Sequence, residues 1–200
     1  MIYICGDSFA TPDPGYGPMW AELIEQKLGR PVKNLARVCA SNLVISQQVN
    51  SIESADFVIV LFSASTRGTV RFDNKILPFS WVSLDESLGL DTERLQLLQL
   101  WQEVFFDLDL AIYENQCIIE STLQRLVDKN IPFRFDQGGF EHPSYGGVGT
   151  YFTKYNAWRS DLCLWDLGNT SMKKPHYHIN DPVQHERIAD YYCRIINENT

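Results

Sequence analysis

The segment Asp56-Phe57-Val58-Ile59-Val60-Leu61-Phe62 constrains this chain more than any other. Its apolar residues do not alternate with polar ones, so neither side of the segment can face water. A short continuous run of this kind suits a central parallel strand covered on both faces. Parallel neighbours need crossover connections, and the surrounding sequence supplies them. Ile2 to Cys5 and Val32 to Ala36 read as strands ahead of it, and Ile131 to Phe135 as one behind it. Between them Trp20, Leu23, Ile24 and Leu28 recur at helical spacing and stop at Gly29 and Pro31. Ile45, Val49 and Ile52 mark a second helix, with Ser41-Asn42 as caps. Asp91 to Asn130 reads as helix in two pieces. Asp181-Pro182-Val183-Gln184 offers an N-cap, a proline at the first helical position and a glutamine to close a capping box. Residues 64–90 read as irregular, and 136–170 as a long loop region rich in glycine and aromatics. Strand and helix in alternation imply an α/β fold with right-handed crossovers and a mostly parallel sheet. Without repeat, linker or low-complexity stretch, residues 1–200 are expected to form one domain.

Charge and composition remove several function classes. Lys and Arg number 17 against 25 Asp and Glu, a net charge of −8 with no basic run. A nucleic-acid backbone demands clustered cations, so nucleic acid is not an expected partner. No apolar run approaches the ~18 residues that suggest a membrane span. The N-terminus has no basic region ahead of its apolar residues and reads as the first strand rather than a signal peptide, which points to a cytoplasmic protein. Five scattered cysteines, with no C-x-x-C pair, read as reduced and mostly buried thiols. His176 and His178 would share a face of an extended segment, yet no third ligand stands at a suitable spacing. Neither a metal nor a cofactor is expected. P-loop, G-x-G-x-x-G and G-x-S-x-G motifs are absent.

In open parallel sheets the working site lies beyond the carboxyl ends of the strands. That rule gathers Gly6-Asp7-Ser8, Arg37 to Asn42 and Ser63 to Arg67 at one rim. A serine at the end of a first strand can expose its hydroxyl there as a nucleophile, given a base and oxyanion donors. Gly-Asp-Ser is equally the composition of a tight turn. Nine aromatics between Phe133 and Trp165, Tyr155 and Trp158 among them, either line a cleft or anchor a long loop by burial, and burial is the commoner role.

The wider pattern around the serine, Ile2-Tyr3-Ile4-Cys5-Gly6-Asp7-Ser8-Phe9, resembles the first block of the SGNH (GDSL) hydrolase superfamily. Asn34 to Asn42 (NLARVCASN) resembles its second block, Val58 to Thr66 (VIVLFSAST) occupies the place of its third, and His178-Ile179-Asn180-Asp181 resembles its fifth. Small stand-alone members carried by tailed phages are the nearest likeness. The resemblance implies a flavodoxin-like three-layer α/β/α sandwich and an esterase, lipase or carbohydrate deacetylase. Ser8 would be its nucleophile and His178 its base, with a small-molecule or glycan ester as substrate. The second-block glycine, whose N–H helps hold the oxyanion, falls on Cys39 or a neighbour. The third-block asparagine falls near Ser65, and Asn42 and Arg67 flank the same rim as oxyanion or substrate contacts. Arg67 reads equally as a plain surface arginine. The usual aspartate three residues before the histidine is Pro175 here, which leaves Asp181 as the carboxylate for His178. His185 falls inside the last helix and is expected to pack. The altered blocks keep a second reading open, a noncatalytic binding or structural module on the same fold. A nucleotide or phosphate binder, a third reading, lacks a glycine-rich cradle.

Overall fold

The structure, a computed structural model, describes residues 1–11, 18–72, 75–81, 84, 89–136, 153–160, 164, 179 and 181–200. In chain order its elements are β1 (Ile2–Cys5), α1 (Trp20–Leu28), β2 (Val32–Asn34), α2 (Asn42–Asn50), β3 (Phe57–Leu61), β4 (Arg67–Phe72), β5 (Lys75–Ser80), α3 (Thr92–Phe105), α4 (Leu108–Asp128), β6 (Phe133–Asp136), a 3₁₀ turn (Thr153–Trp158) and α5 (Pro182–Asn199).

Four of the strands form a parallel sheet in the order β2-β1-β3-β6. Ile2 stands between Val32 and Phe57, and Val58 pairs with Phe133. All five residues of β3 are buried, as an unbroken apolar run requires. Successive side chains leave opposite faces of a strand. Phe57, Ile59 and Leu61 therefore pack with Trp20 of α1 and Ile188 of α5, while Val58 and Val60 pack with Ile45 of α2 and Leu123 of α4. The Trp20 and Tyr192 rings stack at 5.5 Å to hold α1 against α5. The product is an α/β/α sandwich of three layers. The chain leaves β1 to one side for β2 and returns to the other side for β3, so the strand order reverses between β1 and β3. A crevice opens at such a reversal.

Local chemistry sets the element ends. Gly29 adopts a left-handed φ of 61° and donates its N–H to the Glu25 carbonyl at 2.9 Å, which closes α1. Asp91 and Asp107 cap α3 and α4 through the N–H groups of Arg94 (2.8 Å) and Leu110 (2.9 Å), so the two helical pieces divide between Phe105 and Leu108. Asp181 caps α5 by accepting from the Val183 N–H at 2.9 Å, with Pro182 behind it. Gln184 does not close a box there; its side chain accepts from Arg187 instead.

Two expectations need correction. Residues 64–90 are not irregular throughout, because β4 and β5 form an antiparallel hairpin that pairs Arg67 with Ser80 and Thr69 with Pro78. A proline is tolerated because a two-stranded ribbon has only edges. A Cβ on Gly68 would stand 2.3 Å from the buried Phe79 ring, which would have to shift to admit it. Nor do the cysteines, expected to be mostly buried, all sit in the core. Cys5 and Cys193 are buried, but Cys117 is exposed because α4 turns Ile119, Leu123 and Leu126 to the sheet. Cys163 lies outside the described residues. Among the described residues no helix is long and apolar enough to cross a membrane.

Candidate active site

The three stretches expected at the carboxyl rim do meet there. Gly6 is where β1 comes closest to β3. A Cβ on it would stand 2.9 Å from Leu61 Cβ and 3.2 Å from the Leu61 carbonyl oxygen, so only glycine fits. Gln48 of α2 brackets the bare backbone: its Oε1 accepts from the Gly6 N–H at 2.7 Å and its Nε2 donates to the Gly6 carbonyl at 3.2 Å. The same carbonyl accepts from the Arg37 N–H at 3.1 Å, which ties the loop after β2 to the end of β1.

Asp7 is wholly buried. Its Oδ1 accepts from the Phe9 N–H and its Oδ2 from the Ser63 hydroxyl, both at 3.1 Å. Burial pushes its carboxyl up to about 6; the Phe9 N–H, the nearby Arg67 charge and the Ser63 hydroxyl pull the other way. This carboxylate joins the loops after β1 and β3 at the strand-order reversal. Ser8 follows it in the turn, 7% exposed, and its hydroxyl makes no hydrogen bond to a described residue.

Behind the rim a second polar bridge spans three elements. Asn42 Oδ1 accepts from the Ser63 N–H at 2.7 Å, and Asn42 Nδ2 donates to the Ser63 carbonyl at 2.9 Å and to Asn115 Oδ1 at 2.8 Å. Asn115 Nδ2 in turn donates to the Ser65 carbonyl at 3.2 Å. Asn42 thus shapes the loop after β3 from within. Ser65 is also buried, and its hydroxyl has no hydrogen-bond partner. Ser41 occupies the N-cap position of α2, but its hydroxyl meets Thr69 of the hairpin at 2.5 Å rather than a helix N–H. Arg67 opens β4, half-buried, close enough to act on Asp7.

Cys39 has a φ of 58° in a turn closed by the Ala40 N–H on the Arg37 carbonyl at 3.2 Å. Positive φ at the third residue of such a turn is the mark of type II, where glycine is the usual occupant. The only other non-glycine at positive φ among the described residues is Asn130, a type that tolerates it. Cys39 therefore holds a glycine's conformation with a side chain attached.

The histidines divide. His185 is buried in α5; its Nδ1 accepts from the Trp20 N–H at 3.3 Å, so Nε2 carries the proton and donates to the Ile179 carbonyl at 3.0 Å. Both ring nitrogens are used within the fold, and burial lowers its pKa. His178 lies outside the described residues, as do His142 and His176. Asp181 is exposed and caps α5 through one oxygen. The aromatics that are described serve as anchors: Tyr155 is buried with its hydroxyl donating to Gln124 Oε1 at 2.9 Å, and Trp158 stacks on Phe133 at 5.5 Å. Among the described residues no group of His, Cys, Asp and Glu could hold a metal ion.

Gln48, Asn115 and Asp136 were not singled out from sequence. Asp136 ends β6, buried, its backbone carbonyl accepting from the Phe62 N–H at 2.7 Å. Burial, with the Asp136 charge second, raises the Tyr192 hydroxyl's pKa. The rim thus collects buried polar groups from β1, β3, β6, α2 and α4. Comparison with protein-family models and with curated proteins gives no match.

Proposed function

We propose that the chain is a serine hydrolase of the SGNH type acting on carboxylic esters, an acetyl group on a carbohydrate among them. The observation that carries this reading is the hydroxyl of Ser8, without a hydrogen bond to any described residue, in the turn beside the strand-order reversal. Beside that turn Asp7 and Gln48 hold the backbone, and Cys39 takes the conformation of the glycine it replaces in the family pattern. Ser8 Oγ attacks the ester carbonyl while His178 accepts its proton. The Ser8 and Cys39 N–H groups and the Ser65 hydroxyl stabilise the oxyanion, and Arg67 adds positive charge nearby. Collapse expels the alcohol, which takes the proton from His178. Water then attacks the acyl-Ser8 ester, giving its proton to His178, and collapse releases the acid as His178 returns that proton to Ser8 Oγ. Asp181 orients the imidazole with the oxygen that the helix cap does not use.

A fluorophosphonate probe should label Ser8, and Ser8→Ala should abolish hydrolysis of p-nitrophenyl acetate. Undiminished turnover by Ser8→Ala overturns the reading. A second reading, a binding module without catalysis, draws on the burial of Ser65 and on the use of Asn42 to hold Ser63. A protein inert to the probe that still binds glycans would favour it.

A further inference from the structure

The α3 helix is apolar on two opposite sides. Leu95 and Leu98 are buried, and on the same side Gln99 Nε2 donates to the Leu84 carbonyl at 3.1 Å while Gln102 Nε2 donates to the Trp81 carbonyl. The opposite side carries Leu97, Leu100, Trp101 and Val104, 61%, 56%, 47% and 61% exposed. Phe105, the last residue of the helix, is also exposed. A surface helix needs one apolar stripe to face its core, and the second stripe here has no such cover among the described residues.

We propose that a second copy of this chain covers it, α3 against α3 about a two-fold axis. Three observations select that occupant. The first is spacing: Leu97, Leu100 and Val104 follow one another by three and four residues, the repeat of a helix–helix seam. An antiparallel pairing centred between Leu100 and Trp101 sets Leu97 of each copy against Val104 of the other, a self-complementary patch of the kind two-fold symmetry requires. The second is area. Leu97, Leu100, Trp101, Val104 and Phe105 are each about half or more exposed and together leave on the order of 500 Å² uncovered, enough for the apolar centre of the about 800 Å² that each partner contributes to a stable interface. The third is charge. The segment Leu95 to Gln102 carries no charged residue, so two copies of an acidic chain can meet there without like charges facing. A lipid surface fits poorly, since Glu93, Glu103, Asp107 and Asp109 flank the stripe against one Arg94, whereas interfacial helices are flanked by cations. Trp101 is held ready for the contact by stacking on Trp81, ring centroids 4.8 Å apart.

Sedimentation equilibrium of the full chain tests this. The wild type should have twice the 23.0 kDa chain mass. Leu97→Glu with Val104→Glu brings four carboxylates into the seam and should weaken association by about a hundredfold or more, with an unchanged far-UV spectrum. If the double variant fails to fold, Leu100→Arg alters a single exposed position and should also give a monomer. A monomeric wild type overturns the proposal, whether or not it floats with phosphatidylcholine vesicles. So does a dimer that survives folded substitutions of the stripe.

Discussion

At the carboxyl rim of the sheet Asp7, Asn42 and Ser63 are polar and buried; along α3 Leu97, Leu100 and Val104 are apolar and exposed. Each region inverts the ordinary partition of side chains, and such inversions carry more information than the partition itself. They differ in how the fold has settled them. At the rim Asp7, Asn42 and Ser63 are paired through one another's groups, so their inversion is complete within one chain and serves a geometry. Along α3 nothing among the described residues covers the outer face, so the inversion is complete only with a partner. The rim is therefore expected to respond to single atoms, and the α3 face to area and charge.

The largest effect should come from Ser8. Ser8→Ala removes a hydroxyl that holds no described partner, so hydrolysis should fall by about a thousandfold or more while the melting temperature stays near that of the wild type. A large loss of stability with retained activity would make Ser8 a turn residue and break the comparison at its functional end. Asn42→Ala should do the reverse. It leaves the Ser63 N–H, the Ser63 carbonyl and Asn115 Oδ1 each short of a buried partner. At 1–3 kcal/mol per orphaned group, about 3 kcal/mol or more of stability should be lost in urea denaturation.

Asp7 sharpens the contrast through pH. Its folded carboxyl titrates at about 6 against an ordinary 3.8, so between these values the folded chain holds a proton that the unfolded chain has released. The stability this contributes is fully present below about pH 4 and is lost as pH rises through about 6. Asp7→Asn keeps a neutral group of the same shape, able to accept from the Phe9 N–H and to donate to Ser63 Oγ. The variant should match the wild type near pH 4 and exceed it by about 2–3 kcal/mol at pH 8. A wild type that gains on the variant as pH rises would show that Asp7 is stabilised as the anion, with Arg67 outweighing burial.

Much of the sandwich was legible in the sequence because its signals are local. The apolar run of β3, the Gly29 stop and the Asp181-Pro182 start are each set by neighbours a few residues away, and all appear where expected. The β4–β5 hairpin was not legible, since a proline and a mixed polar pattern conceal strands that never enter the main sheet. Gln48 in a helix reads as a solvated side chain; its partner Gly6 lies 42 residues earlier. Asn42 and Asn115 are 73 residues apart and meet only after two crossovers. The two-sidedness of α3 was hidden for another reason. Periodicity reveals a stripe, but it does not say which of two apolar faces the core will take.

The smallest effect tests the finest reading of the rim. Cys39 is a side chain in a conformation that disfavours one by about 1–2 kcal/mol. Cys39→Gly removes that strain, while the freer unfolded chain takes back about 0.4–1 kcal/mol. The net should be a gain of about 0.5 kcal/mol, with the backbone N–H still in place and ester hydrolysis equal to the wild type or faster. Cys39→Ala keeps the strain and loses only the sulfur, so it should not gain. The pair of variants separates two explanations of one residue. If glycine gains and alanine does not, the turn is set by the backbone, as an oxyanion donor requires. If both lose by similar amounts, the sulfur itself holds the loop, and the likeness to a glycine position is one of φ alone.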